Sequence, residues 1–349
     1  MQPSHGELID TAVIVKKPKD VGRLYTRSHF GTTRSGNILQ LHLLEAVFLC
    51  GEQKLEVFSN GKISSFADLV KLATKHIPHF ELVYTAYRDL RKRGHFLKLI
   101  NQDLSIPFQI ISEKATTPAI PVYVCSEQDV FDLNKLNELS TGNEPYPFWV
   151  CLVDEEGDLT YYSVDTVKPT GKVPSIQYAV TQALLLDNRT IIFDPIISKK
   201  LHSQEFFGKP FGQGLQLSLV ETLYLIDIGV LKIYIPGETS PLSSKNIKQL
   251  FIKKQPDIIA RLKVFKDLKN KGLLVKTGFK FGTHFRAYIH RPGQGHAEYL
   301  VHVVPADFCG SWADISRGIR LAHAVNKVFL FAALSNTHIE YLCLGRLRP

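Results

Sequence analysis

The sequence has no run of about eighteen apolar residues, the length a helix needs to cross a bilayer, and its first residues, MQPSHGELID, lack the basic-then-apolar pattern of a secretory signal. A cytoplasmic protein without a membrane segment is expected. Cysteine is sparse: Cys50, Cys125, Cys151, Cys309 and Cys343 are odd in number and scattered, with no CxxC pair. This argues against a disulfide framework or a zinc ribbon and for reduced, buried thiols. The thirteen histidines are scattered as well, with no convincing HxxxH or paired-carboxylate pattern, so no metal site is expected.

What the sequence does have is length and positive charge. At 349 residues it exceeds one average domain and suits two or more. The net charge of +9 is unevenly placed. From Pro256 onward, fourteen Lys+Arg face six Asp+Glu, so almost all of the surplus lies in the last quarter. That balance suits a polyanion, of which an RNA backbone is the commonest, although on charge alone plain solubility accounts for it equally well.

An internal repeat sets the organisation. LQLHLLE at residues 39–45 returns as LQLSLVE at 215–221, and YRDLRKRG at 87–94 returns as FKDLKNKG at 265–272, offsets of 176 and 178 residues. The chain reads as two tandem copies of one α+β (mixed α/β) unit. Each copy has two parts, an N-terminal α/β subdomain followed by an αβ subdomain with a mixed sheet. Residues 1–78 form the first part of copy one, with helices expected at 39–49 and 66–76. Residues 79–163 form its second part. They open with a helix at 81–92 stopped by Gly94 and continue with strands at 108–111, 122–125 and 148–153. Residues 164–176, containing Lys168-Pro169-Thr170-Gly171 and Val173-Pro174, read as a linker. Copy two follows as 177–255 and 256–349, with Asp257 placed to cap a helix over 258–271.

Candidate chemistry concentrates between residues 281 and 327. Tyr288 closes a strand-like run. His296 follows the turn at 292–295 and opens the run 299–304. Lys327 ends a helical segment and precedes the apolar run 328–334. In that helix Ile315, Ile319, Ala322 and Val325 recur at helical spacing, with Asp314 as N-cap. Ser316, Arg320, His323 and Lys327 share the other face, which by spacing alone reads as a solvated basic stripe. His302, inside a strand, reads as a packing residue, and His284 lies close by. His290 in the turn is a second candidate acid, and Tyr299 a second candidate tyrosine.

The segments YIHRPGQGHAEYLVHVV, RGIRLAHAVNK and the terminal YLCLGRLRP resemble the catalytic end of the archaeal tRNA-splicing endonucleases, or tRNA-intron lyases. DLKNKGLLVKTGFKFGTHFRAY resembles the helix, turn and strand leading into that family's catalytic tyrosine, and the whole chain resembles the two-repeat, homodimeric type. The resemblance implies cleavage of precursor tRNA at bulge-helix-bulge exon–intron junctions, without metal or cofactor. The RNA's own 2'-hydroxyl attacks, leaving a 2',3'-cyclic phosphate and a 5'-hydroxyl. It assigns Tyr288 as general base, His296 as general acid and Lys327 as the cation facing the charged phosphorane. These roles are chemically reasonable. A phenol, with a reference pKa of about 10, needs a neighbouring cation to act as a base; imidazole exchanges protons near neutrality; an ammonium is a compact partner for a phosphate oxygen. Arg320 and Arg346 match arginines that clamp a flipped-out bulge base between their planes.

The matching stretches of copy one, PFQIISEKATTPAIPVYVC and LNELSTGNEPYPFW, contain no histidine and no aligned lysine, so one active site per chain is expected. Copy one carries instead Asp154-Glu155-Glu156-Gly157-Asp158 at a hairpin tip. By resemblance this acidic loop docks into a basic pocket of a second chain, giving a two-fold homodimer built through the acidic loop and the C-terminal sheet. The competing reading is a non-catalytic RNA-binding or scaffold subunit.

Overall fold

The computed structural model describes residues 2–100, 106–112, 118–140, 147–187, 189–291, 295–336 and 338–349. The chain forms two compact units. One comprises Met1–Val130, Leu139–Val164 and Arg346–Pro349; the other comprises Phe131–Glu138 and Asp165–Gly345. The turn at 292–294 and parts of the copy-one stretches compared above (113–117 and 141–146) lie outside the described residues.

The repeated heptapeptide is a strand-to-helix corner. A continuous helix over residues 39–49 is not what forms. Leu39 and Leu41, both fully buried, alternate inward along the strand Ile38–His42, and the helix Leu43–Gly51 begins only after it. One seven-residue motif thus holds a period of two and then a helical turn. The switch is enforced by a capping box. His42 Nδ1 accepts the Leu44 N–H at 3.2 Å, and buried Glu45 accepts the His42 and Gly31 N–H groups, both at 2.8 Å. In the second unit Ser218 caps the helix Leu219–Asp227. Buried Glu221 accepts the Ser218 N–H at 3.0 Å and the Gly208 N–H at 2.9 Å.

The first unit has a mixed sheet in the order Thr32–Arg34, Ile38–His42, Ala12–Val15, Ser4–Ile9, Leu55–Ser59, Lys62–Ile63. The helix Phe80–Lys92 then precedes the strands Phe96–Leu99, Phe108–Ile111, Ile120–Ser126, Phe148–Val153 and Leu159–Thr166. These pair in sequence order, antiparallel except for Ile120–Ser126 alongside Phe148–Val153. The second unit has a sheet ordered Lys209–Phe211, Gly214–Leu217, Arg189–Ile192, Thr181–Leu186, Leu231–Tyr234. The helix Ile258–Asn270 is then followed by Leu274–Thr277, Phe285–Tyr288, Tyr299–Pro305, Val328–Leu334 and Ile339–Leu347. Here too the strands pair in sequence order, and the pair Tyr299–Pro305 with Val328–Leu334 is the parallel one.

Both faces of this last sheet are covered. Val275, Phe285, Ala287, Val301, Leu330 and Tyr341 join the core that includes Leu262, Phe265 and Leu268 of the helix Ile258–Asn270. On the other face lies the helix Trp312–Ala324, where a Cβ on Gly318 would come within 3.1 Å of the Phe329 ring. Phe131 also packs on this side, its ring 5.0 Å from Trp312 and 5.4 Å from Phe331.

Several local expectations change. Asp257 does not cap the helix that follows; its carboxylate is drawn to Arg261 Nε at 2.7 Å. Residues 167–173 are tied down along the second unit: the Val167 N–H donates to Tyr341 O, Gly171 to Lys271 O, Lys172 to Ile289 O and Val173 to Gly272 O, all at 2.8–3.0 Å. Gly171 is obligatory in that contact, since a Cβ there would lie 2.0 Å from the Gly272 carbonyl oxygen. None of the five cysteines is in a disulfide; Cys125 and Cys151 are buried, Cys50 and Cys343 half-buried, and Cys309 is exposed. No helix among the described residues is long and apolar enough to cross a membrane.

Glu221 also receives Lys276 Nζ at 3.3 Å, with both side chains nearly inaccessible. Glu221→Ala would orphan two N–H groups and leave a buried ammonium short of its counter-charge. It is expected to cost about 3 kcal/mol, read as a lowered urea midpoint with an unchanged slope.

Candidate active site

The sheet register gathers the three candidate side chains. Ala287 pairs with Tyr299, and Tyr299 with Val328. The ladder extends one step further at this end, where the Glu298 N–H donates to Ala287 O at 3.0 Å and Glu298 O accepts the Val328 N–H at 2.9 Å. Tyr288 follows Ala287, Lys327 precedes Val328, and His296 stands two residues before Glu298. All three therefore sit at one end of three neighbouring strands, which at strand spacing span about 10 Å. Register also fixes the face. Arg286, Leu300 and Phe329 are paired across the sheet and share a side. Tyr288 lies two residues from Arg286 and Lys327 two from Phe329, so both fall on that side, away from the helix Ile258–Asn270.

Lys327 is not on a helix. The helix Trp312–Ala324 starts at Ser311, whose Oγ accepts the Asp314 N–H at 3.2 Å, so Asp314 occupies the third helical position and is not the cap. The helix ends in a left-handed Asn326 (φ 53°). The Asn326 N–H donates to His323 O and the Lys327 N–H to Ala322 O at 2.9 Å, the paired bonds of a Schellman ending. Lys327 is thus pinned between a helix end and a strand start, and its Nζ lies 6.0 Å from the Phe281 ring centre. Ile315, Ile319 and Ala322 are buried as their spacing requires. Ser316 is buried too, so it leaves the basic stripe.

Tyr288 is half-buried between two groups that sequence reasoning passed over. Its ring meets Phe206 edge-on at 5.9 Å, and Arg286 Cζ lies 5.8 Å from its centre. Lys276 Nζ lies 5.1 Å from the Phe206 ring and donates to Gly208 O at 2.7 Å as well as to Glu221. The signal for Arg286 was simple alternation, two residues before the tyrosine on one strand. Phe206, more than 80 residues upstream and in a left-handed conformation (φ 60°), left no such sign.

The structure separates the alternatives. Tyr299, paired with Ala287 and Val328, packs against the core on the opposite face, and burial raises its phenol pKa. The His284 and His302 rings lie 4.5 Å apart. His284 Nδ1 accepts the Val303 N–H at 2.8 Å, and burial, then His302 and Arg261, push its pKa down to about 4. Burial lowers His302 as well. Both are neutral packing residues near pH 7, whereas His296 and His290 are exposed.

The tRNA intron endonuclease catalytic C-terminal domain matches residues 258–341, and the tRNA intron endonuclease N-terminal domain matches twice, at 4–70 and 181–243. A tRNA-splicing endonuclease of Methanococcoides burtonii is 35% identical over 98% of this chain and 99% of its own length. One from Methanosarcina barkeri is 34% identical over 95% and 97%. The chain belongs to the tRNA-splicing endonuclease family. It is an endonuclease that cleaves precursor tRNA. A half-length tRNA-splicing endonuclease of Hyperthermus butylicus, 33% identical, covers 48% of this chain with 99% of its own length.

The catalytic-domain match encloses Tyr288, His296, Arg320 and Lys327 and stops short of Arg346. Arg320 is exposed on its helix, with Nε donating to Ser316 O at 3.3 Å. Arg346 is exposed on the strand Ile339–Leu347 and belongs to the first unit. The acidic hairpin tip of that unit is more structured than its composition suggests. Asp154 Oδ1 accepts the N–H groups of Glu156 and Asp158 at 3.0 and 2.8 Å, and Glu155 accepts from Gln128 Nε2 at 2.8 Å. That leaves the carboxylates of Glu156 and Asp158 unengaged among the described residues. Gly157 makes the turn at φ 81°.

His284 sets a pH dependence of stability. Its folded pKa of about 4 lies below the ordinary value of 6.5, so between these limits the unfolded chain binds the extra proton. Stability is full above about pH 6.5 and falls as pH drops toward 4, by at most roughly 3 kcal/mol from this group. Urea midpoints of His284→Gln are expected to decline less than those of the parent between pH 7 and 4.5.

Proposed function

We propose that Tyr288, His296 and Lys327 form the cleavage centre. The observation that carries this reading is their convergence on one end of three hydrogen-bonded strands. Tyr288 takes the proton of the 2'-hydroxyl at the cut. The 2'-oxygen attacks the adjacent phosphorus, and the phosphorus–5'-oxygen bond breaks. His296 delivers a proton to the leaving 5'-oxygen, and Lys327 faces the non-bridging oxygens as negative charge builds. The products are a 2',3'-cyclic phosphate and a 5'-hydroxyl, with no metal or cofactor taking part. Arg286, against the Tyr288 ring, is the cation best placed to favour a phenolate. Arg320 and Arg346 serve as base-stacking guanidiniums at the bulges of a bulge-helix-bulge substrate.

The chain is a tandem duplication in this reading, with subdomains 1–78, 79–163, 177–255 and 256–349 and the 164–176 connection between the copies. Three observations support it: the strand order of each unit recurs in the other, the N-terminal domain matches twice, and a half-length relative exists. The catalytic model matches only residues 258–341, which supports one active site per chain. The tip of copy one docks on copy two of a second chain in a homodimer, now through Glu156 and Asp158. Asp154 shapes the loop from within.

Cleavage of a bulged RNA in excess EDTA tests the centre. The parent is expected to cut and to leave cyclic phosphate ends. His296→Ala and Lys327→Ala should slow the cut about a hundredfold or more while still binding RNA, Tyr288→Phe should follow them, and His290→Ala should match the parent. Full cleavage by Lys327→Ala or His296→Ala would remove the mechanism, and RNA retention without any cutting would favour a binding subunit. Sedimentation tests the assembly: a Glu156→Lys, Asp158→Lys double variant should run as a monomer where the parent runs as a dimer.

A further inference from the structure

From the turn Phe279–Phe281 we infer a second RNA-contacting element, a stacking platform for one unpaired base next to the scissile phosphate, with Lys280 on the neighbouring backbone. Its position beside the cut rests on the assignment of Lys327.

Phe279 is 88% exposed, more than any other large apolar side chain described. The exposure is enforced by a rigid turn. The Phe279 N–H donates to Thr277 Oγ1 at 3.3 Å, Phe281 to Gly278 O at 2.8 Å, Gly282 to Phe279 O at 3.0 Å and Gly278 to His284 O at 3.0 Å. Gly278 admits no side chain, because a Cβ would lie 2.8 Å from the Phe285 carbonyl oxygen, and Gly282 takes φ 67°. With the backbone fixed by these bonds, stacking has only the ring's own side-chain torsions to order.

The turn also touches the proposed centre. The Phe281 ring has Lys280 Nζ 4.8 Å from its centre and Lys327 Nζ 6.0 Å away, so one ring links the turn to the catalytic ammonium. Lys280 forms no ion pair with a described residue, and residues 268–297 contain no Asp or Glu. A single presented aromatic in carboxylate-free, basic sequence suits a base and its phosphate. It does not suit a protein surface, which needs a contiguous apolar patch.

The test uses the full chain and a bulged RNA carrying a 2'-deoxy nucleotide at the cut, so that binding is read without cleavage. Phe279→Ala is expected to weaken binding about fivefold to a hundredfold, and Phe279→Leu to weaken it comparably. Phe279→Trp should retain affinity, with its fluorescence quenched by RNA. Against RNA whose bulge nucleotides are abasic, parent and Phe279→Ala should bind alike. Lys280→Ala should flatten the salt dependence of binding by about one unit of slope. Binding by Phe279→Ala within twofold of the parent, or an equal loss on abasic RNA, overturns the platform. Neither result touches the catalytic reading, which depends on the loss of cleavage in Lys327→Ala on RNA that keeps its 2'-hydroxyl. Conversely, unimpaired cleavage by Lys327→Ala with the Phe279 effect intact would remove the cleavage mechanism and the platform's placement beside the cut, and leave the platform itself standing.

Discussion

The peptide groups of one residue hold the candidate centre together. Glu298 donates its N–H to Ala287 and accepts at its carbonyl from Val328, so a single backbone position ties the ends of three strands. Tyr288 and Lys327 flank the partners of those two bonds, and His296 enters the strand that carries Glu298. Because side chains alternate with a period of two, a slip of one residue in either pairing would turn Tyr288 or Lys327 to the opposite face. The register is therefore specified from behind. Phe285, Ala287, Val301 and Leu330 are buried in one core, and Leu300 and Phe329 in the packing beneath the helix Trp312–Ala324. Hydrophobic burial on both sides fixes which residues meet, and the candidate centre sits at the end of the strands.

Lys327 shows how a local ending supports that register. A helix that simply continued would carry its residue 327 around the axis and away from the sheet. Asn326 in the left-handed region stops it within one residue, a conformation Asn tolerates better than other non-glycine residues. The Lys327 backbone then closes the helix with its own N–H while the next residue opens the strand. The lysine is positioned by its main chain, and its Nζ donates to Val325 O at 3.3 Å.

Much of this was legible in the sequence. The strands Phe108–Ile111, Phe148–Val153 and Val328–Leu334 fall where the apolar runs placed them, because each run is bounded by turn residues. The tyrosine, histidine and lysine were legible as element-edge residues within a recognisable pattern. Boundaries were harder. Asp314 and Asp257 look like caps by residue type, yet Ser311 captured the first helix end, and Arg261 drew the second aspartate aside. LQLHLLE reads as helix because leucines spaced four apart and two apart overlap in so short a segment. Phe206 was out of reach because its contact with Tyr288 is set by tertiary packing across a long separation, which no local period encodes.

The two units put one structural device to different uses. In the first, Glu45 closes the strand–helix corner with two backbone N–H partners and feels the charge of Arg91, and burial raises its carboxyl pKa to about 6. Lys98, the third residue of the strand Phe96–Leu99, is exposed there. In the second unit the lysine at the matching strand position, Lys276, turns inward to Glu221. Its ammonium then lies against Phe206, whose ring meets Tyr288 edge-on. The corner carboxylate thus becomes the anchor of a chain running Glu221, Lys276, Phe206, Tyr288, and Arg286 adds its charge at the far end. A capping carboxylate present in both units reaches, in one of them, the ring that packs on the candidate tyrosine. In both units the corner carboxylate is held by two backbone N–H groups, and in the second Lys276 joins it.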